Sequence, residues 1–203
     1  MAEAVHAVAR PDWSSAGACS SVRSVPGADR DLARAAAEGD REAFAALLHL
    51  HYDRIFRLCF RLTGRREEAE DLTQDICLAL PAKLKSFRGQ ARVTTWLYRI
   101  AVNAAHDRRR RDSSRTKAAE GWGDWEVNRR ATARDTAAGL DWLQQSMGAL
   151  PSDLRDTVAL TVDGEMTHAE AAEVLGVSEG TVSWRLSEVR KRLRAMWQEE
   201  TGR

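Results

Sequence analysis

Between Asp31 and about Arg111 apolar residues return at helical intervals. Phe44, Leu47, Leu48, Ile55, Phe56, Cys59 and Leu62 fall on one face, so the spacing predicts a long amphipathic helix. Asp40, just before Arg-Glu-Ala-Phe, is placed to cap its start, and Gly64 ends it. A second helix runs from about Glu67 through Leu72, Ile76 and Leu80 to Pro81. Proline inside a helix costs about 3 kcal/mol, so a kink or an early end is expected there. Ser86 to Val93 reads as a loop. A third helix follows, capped by Thr94 or Thr95, with Trp96, Leu97, Ile100, Ala101 and Ala104 inward and Arg99, Asn103 and Arg108 outward. From Leu140 to Trp197 the helical pattern resumes. Leu150-Pro151-Ser152-Asp153 breaks one helix and starts another, whose inner face would carry Leu154, Val158 and Val162. No alternating strand pattern is present.

The expected fold is therefore all-α: two small helical domains, 31–111 and 139–198, with a flexible arm at 1–30 and a flexible linker at 112–138. The arm carries Trp13 and the linker Trp122 and Trp125 as large contact residues.

Met166 to Leu193 has the punctuation of a helix-turn-helix. Ala171, Ala172, Val174 and Leu175 give a short helix an apolar face, Gly176 can turn with positive φ, and Ser178 can cap the next helix. In that second helix Val182, Leu186, Val189 and Leu193 form a buried stripe, which leaves Ser183, Trp184, Ser187 and Glu188 outward, toward a DNA major groove. Arg190, Lys191, Arg192 and Arg194 then follow within reach of phosphates.

Net charge carries no nucleic-acid signal, because 31 Lys and Arg meet 30 Asp and Glu. Clustering does: from Arg99 to Lys117 there are seven basic residues and two acidic ones. Four of them, Arg108 to Arg111, point all round a helix, so at most two can lie along one DNA backbone. Cys19, Cys59 and Cys77 have no CxxC spacing, and the two on apolar stretches read as buried thiols. No metal site and no cofactor motif is visible. His49 and His51 read as surface residues, and none of the five histidines has a convergent Cys or carboxylate at ligand spacing. With no catalytic constellation, the chain is not expected to be an enzyme. With no apolar run long enough to span a bilayer and no signal peptide, a cytoplasmic protein without membrane insertion is expected.

The segments EEAEDLTQDICLAL, KSFRGQARVTTWLYRIAVNAAHDRRRR and, further on, LPSDLR with TVDGEMTHAEAAEVLGVSEGTVSWRL resemble the extracytoplasmic-function sigma factors. These are small promoter-recognition subunits of bacterial RNA polymerase in the sigma-70 family. The resemblance spans about Asp31 to Arg111 and Leu140 to Arg194. It implies a region 2-like bundle followed by a region 4-like helix-turn-helix. It also implies that Asp71, Leu72, Gln74 and Asp75 dock on the clamp helices of the polymerase's largest subunit, and that Leu150, Leu154 and Val158 either pack the core or meet the flap. Phe87, Arg88, Thr94, Thr95, Arg99, Asn103 and Arg108 would then take the minus-ten element, with Phe87 and Asn103 holding a flipped base. For Trp96 core packing is the expectation. Thr181, Ser183, Trp184, Ser187, Glu188, Arg190 and Lys191 would meet the minus-thirty-five element. An anti-sigma factor is the further partner that the resemblance implies. One departure stands out: family members often carry basic or aromatic residues at the positions of Ser183, Ser187 and Glu188. A glutamate there can accept from cytosine N4 but cannot read guanine as arginine does.

Two other readings remain open on the residues alone. A freestanding dimeric helix-turn-helix regulator would bind operators without polymerase. A helical adaptor would use its basic stretches only as solvated surface and show no specific DNA affinity.

Overall fold

The computed structural model describes residues 28–119 and 146–201. Trp13, Cys19, Trp122 and Trp125 lie outside the described residues. Among the described residues, every regular element is an α-helix. α1 (Ala28–Ala37), α2 (Arg41–Thr63), α3 (Arg66–Leu84) and α4 (Val93–Ala119) form an N-terminal unit. α5 (Ser152–Thr161), α6 (His168–Leu175) and α7 (Glu179–Thr201) form a C-terminal one.

Local chemistry sets the boundaries of α2. Asp40 accepts from the N–H groups of Glu42 and Ala43 at 2.9 and 3.0 Å, which satisfies two donors that have no partner within the helix. Gly64, at φ 76°, donates back to Phe60 and stops the helix in a left-handed residue. Leu47, Ile55, Leu58, Cys59 and Leu62 make its buried face.

His51 is on that face too, contrary to the surface position expected of it. It is 1% exposed, four residues after Leu47 and four before Ile55, so helical periodicity forces it inward. Its Nε2 lies 3.5 Å from a carboxylate oxygen of Asp29 on α1. Burial lowers its pKa and outweighs the opposing pull of Asp29.

α3 does not end at Pro81. It continues to Leu84, where buried Leu80 and Leu84 hold the last turn against the core. α4 starts at Val93, one residue before the expected caps, so Thr94 and Thr95 lie inside its first turn. It also runs eight residues past Arg111, which makes it about 40 Å long at 1.5 Å per residue.

In the C-terminal unit Thr167 and Glu170 form a reciprocal capping box at the start of α6. Gly176 takes φ 67°, and Ser178 Oγ accepts from the Thr181 N–H at 3.1 Å. These two residues fix the turn between α6 and α7. Leu150 and Leu154 bury against Val189, with Val158 and Leu193 beside them, so they serve as core. Val162, expected inward, is 62% exposed at the end of α5.

The two units share one buried cluster. Leu160, Met166, Ala171 and Val174 from the C-terminal unit join Leu97, Tyr98 and Ala101 of α4 and the leucines of α2 and α3.

Candidate nucleic-acid and polymerase interface

On α3 the periodicity separates the residues as expected. Leu72 and Ile76 are buried, while Asp71, Gln74 and Asp75 are exposed. These three polar residues, with Arg108, Arg111 and Asp112 of α4, line an open hollow of about 310 Å³. Inside it Arg108 Nη2 lies 3.2 Å from Asp71 Oδ2. A carboxylate expected to dock polymerase and an arginine expected to touch DNA therefore hold each other.

The loop before α4 and its first turns gather the minus-ten candidates. Phe87 and Trp96 pack ring against ring, with centroids 5.0 Å apart and planes tilted by 54°. Both are half-buried against the core, so Trp96 packs as expected and Phe87 packs in part. Arg88 and Asn103 are exposed, Thr94 is half-buried and Thr95 is buried. Thr94 and Thr95 line a cavity of about 210 Å³, walled by Tyr98 and Arg92 on one side and by Glu165, Met166 and Glu170 of the C-terminal unit on the other. Arg99 is not free: its Nη2 donates to both the carbonyl and the carboxylate of Glu173 on α6, at 3.1 and 3.0 Å.

The rest of the arginine run is engaged as well. Arg109 grips both oxygens of Asp156 at 3.0 and 2.9 Å, Arg110 pairs with Asp107, and Arg111 donates to the Asp107 carbonyl.

α7 presents the face read from its sequence except at Glu188, which is half-buried. Val182 and Val189 are buried, whereas Ser183, Ser187, Arg190 and Lys191 are exposed and Trp184 is 63% exposed. Thr181 is half-buried and spends its N–H and hydroxyl on the Ser178 cap. Ser183 Oγ lies 3.1 Å from Nδ1 of His168. Glu188 accepts from Arg192 at 2.8 Å, and that bond holds its carboxyl below the usual range.

Sequence reasoning missed the seam between the units. Tyr98 is buried, and its hydroxyl donates to Glu165. Burial, with the Glu165 carboxylate beside it, pushes that phenol far above its ordinary pKa. Arg61 reaches across to the Ala159 carbonyl and to Asp163, both at 2.7 Å. Arg92 pairs with Glu170 at 2.8 Å. His106 Nε2 sits 2.6 Å from Asp156, a carboxylate only 1% exposed. The one available signal was Asp156 itself, an acid next to Thr157 on the inner side of α5 between Leu154 and Leu160.

Burial pushes the Cys59 and Cys77 thiols up to about 11. Among the described residues no group of three or more His, Cys, Asp or Glu side chains gathers at metal-binding distance, and no helix is long and apolar enough to cross a membrane.

Comparison with known proteins bears on both units. Sigma-70 region 2 matches residues 47–115, and sigma-70 region 4 matches residues 140–193. The chain is similar to the ECF RNA polymerase sigma factor SigM of Mycobacterium tuberculosis, at 37% identity covering 81% of this chain and 82% of that protein. It is also similar to SigW of Bacillus subtilis, at 30% identity covering 77% and 90%. The solved structure of CnrH in complex with the cytosolic domain of CnrY superposes with a TM-score of 0.63 at 26% identity, covering 85% of this chain and 98% of that one. The chain belongs to the ECF RNA polymerase sigma factors of the sigma-70 family, which bind core polymerase and direct promoter-specific initiation of transcription.

Proposed function

We propose that this sigma factor divides its work among three faces. The exposed acids of α3, Asp71 and Asp75 with Gln74, dock on the clamp helices of core polymerase around buried Leu72. The loop before α4 and the start of that helix, with Phe87, Arg88, Thr94, Arg99, Asn103 and Arg108, capture and melt the minus-ten element, and buried Thr95 supports them from beneath. The outer face of α7, from Thr181 through Lys191, reads the minus-thirty-five element.

The observation that carries the reading is the exposure of Asn103 on the α4 face that also bears Arg99, two turns from the Phe87–Trp96 pair. An amide, a cation and an aromatic edge can hydrogen-bond, neutralise and stack a base taken out of the duplex. The domain roles follow as 31–111 for polymerase docking and minus-ten melting and 139–198 for the upstream element. The chain does this without catalysis of its own, in the cytoplasm where polymerase is found.

An anti-sigma factor is part of the proposal. The CnrH structure has the cytosolic domain of CnrY bound, and the RpoE structure from Bartonella quintana has the anti-sigma factor NepR bound. A dimeric regulator is not favoured, since both units match sigma regions in the right order.

Reconstitution with core polymerase tests the site. Asn103→Ala and Phe87→Ala should reduce permanganate reactivity of the opened promoter more than they reduce closed-complex binding. Equal loss in both steps would assign these residues to folding or to general affinity instead.

A further inference from the structure

Hydrogen-bonding groups along the first half of α7 are mostly spent inside the protein. Thr181 uses its N–H and its hydroxyl on Ser178. Ser183 Oγ lies 3.1 Å from His168 Nδ1, and half-buried Glu188 accepts from Arg192 at 2.8 Å. Arg185 is held to the C-terminal unit's own core side, 17% exposed and 3.5 Å from Asp153. From Gly180 to Val189 the exposed residues are Gly180, Ser183, Trp184 and Ser187. Three of these are small, so Trp184 is the large side chain that stands outward on this stretch, 63% exposed.

Gly180 lies four residues before Trp184, on the same side of the helix. Long side chains on a helix lean toward its N-terminus and cover the turn before their own Cα, so the indole extends over Gly180. Nothing in the fold calls for glycine there. Its φ is not positive, and an added Cβ would meet Ser178 Oγ at an ordinary 3.8 Å. Glycine inside a helix is less stable than alanine, and what its bare Cα provides here is room beneath the indole. Trp184 is therefore a single apolar ridge in low relief, at the N-terminal half of the helix, where a recognition helix meets base edges.

We infer that Trp184 is the specificity-determining residue of α7, and that this chain reads its upstream element chiefly by apolar contact of the indole with a thymine 5-methyl group, not by hydrogen bonds. Thymine is the base whose major-groove edge offers an apolar group, and its neighbouring O4 can accept from the indole Nε1–H. Arg190 and Lys191, further along, hold phosphates and fix register without choosing sequence. The inference rests on the assignment of the α7 face to the minus-thirty-five element.

The test uses holoenzyme assembled from the full chain and core polymerase. Selection from a library randomised over both promoter elements gives the preferred upstream sequence, which should contain at least one fixed A·T pair. Each thymine of that sequence is then replaced in turn by deoxyuridine, which removes the methyl and leaves every hydrogen-bonding group in place. At one thymine the change should weaken closed-complex binding about fourfold, the equivalent of one buried methyl at about 0.8 kcal/mol with 1.4 kcal/mol per tenfold. Trp184→Ala should bind the thymine and deoxyuridine promoters equally. Trp184→Phe, which keeps an apolar ring, should restore the difference, and circular dichroism checks that both variants are folded.

Wild-type holoenzyme that ignores deoxyuridine at every thymine would overturn the methyl contact. Trp184→Ala holoenzyme that still tells the two promoters apart would give the methyl to another residue. If Trp184→Ala weakens binding to core polymerase with no DNA present, the indole is a protein contact and the inference fails. A selection that returns no upstream preference would remove the assignment of α7 itself. An upstream element that Lys191→Ala weakens and Trp184→Ala leaves intact would keep that assignment and sink the inference alone.

Discussion

Reversing Asp71 and Asp75 to Lys separates docking from folding, because the structure bounds what the fold can lose. Asp71 has one ion pair, 3.2 Å to Arg108, with the two side chains 66% and 28% exposed. Pairs this exposed contribute about 1 kcal/mol or less. For a chain of this size that shifts the melting temperature by about 2 to 4 °C. Asp75 is exposed on the same face and adds little to folding. Charge pairs closed at a protein interface couple by at least about 1.5 kcal/mol each. Losing two, even before like-charge repulsion, comes to about 3 kcal/mol, or more than about a hundredfold in affinity for core polymerase. The assay is a competition titration of purified core polymerase against labelled wild-type chain, run beside a thermal melt. Glu42→Lys with Asp53→Lys on exposed positions of α2 makes an equal change in net charge elsewhere. If both double variants bind core polymerase as the wild type does, α3 is not the docking face. If both lose affinity equally, net charge rather than this face controls binding.

Acid sensitivity should trace in part to His51, whose folded pKa is depressed below 6.5 by burial. Its contribution to stability is complete above the unfolded value and is lost as pH falls through the folded one, so His51→Leu should flatten the decline in denaturant midpoint below about pH 6.5. An unchanged decline would place the sensitivity elsewhere. Cys59 titrates the other way: raised from 9.0 to about 11, it favours the folded state below pH 9 and loses that contribution as pH climbs to about 11. The two-unit rise corresponds to about 3 kcal/mol at most. Its alkylation should require unfolding, and fast modification of folded protein at pH 8 would contradict the burial. On α7, Glu188→Arg should change the preferred upstream base in a randomised-promoter selection, whereas Lys191→Ala should lower affinity for all sequences and flatten its salt dependence. An identical preference for wild type and Glu188→Arg would mean that Glu188 faces away from the bases.

Whatever depends on neighbours in sequence was legible. The Asp40 and Ser178 caps, the turns at Gly64 and Gly176, the inward stripes of α2 and α7 and the outward set around Trp184 all follow from spacing and capping chemistry. Errors arose where a local rule met a competing term. Pro81 sits one residue after Leu80 and three before Leu84, and burying both outweighs the missing donor. α4 outlasts Arg111 because Arg115, Lys117, Ala118 and Ala119 are good helix formers, and low apolar content alone does not end a helix. The seam was illegible for a different reason. Glu170 and Glu173 look like solvated positions on a helical wheel, Glu165 looks like a solvated loop acid, and their partners are 74 to 108 residues away where Arg57, Arg92 and Arg99 are concerned. For the candidate site, sequence located the groups and could not say which were already occupied.

The sorting of charge across that seam has a consequence for how the two units hold each other at different ionic strengths. Basic side chains of α2 and α4 meet acids of the C-terminal unit, as Arg61 does Asp163 and Arg99 does Glu173. Dissolved salt screens those pairs and leaves the apolar contact of Leu160, Met166 and Val174 unscreened. Ionic strength therefore loosens one part of the seam and spares the other.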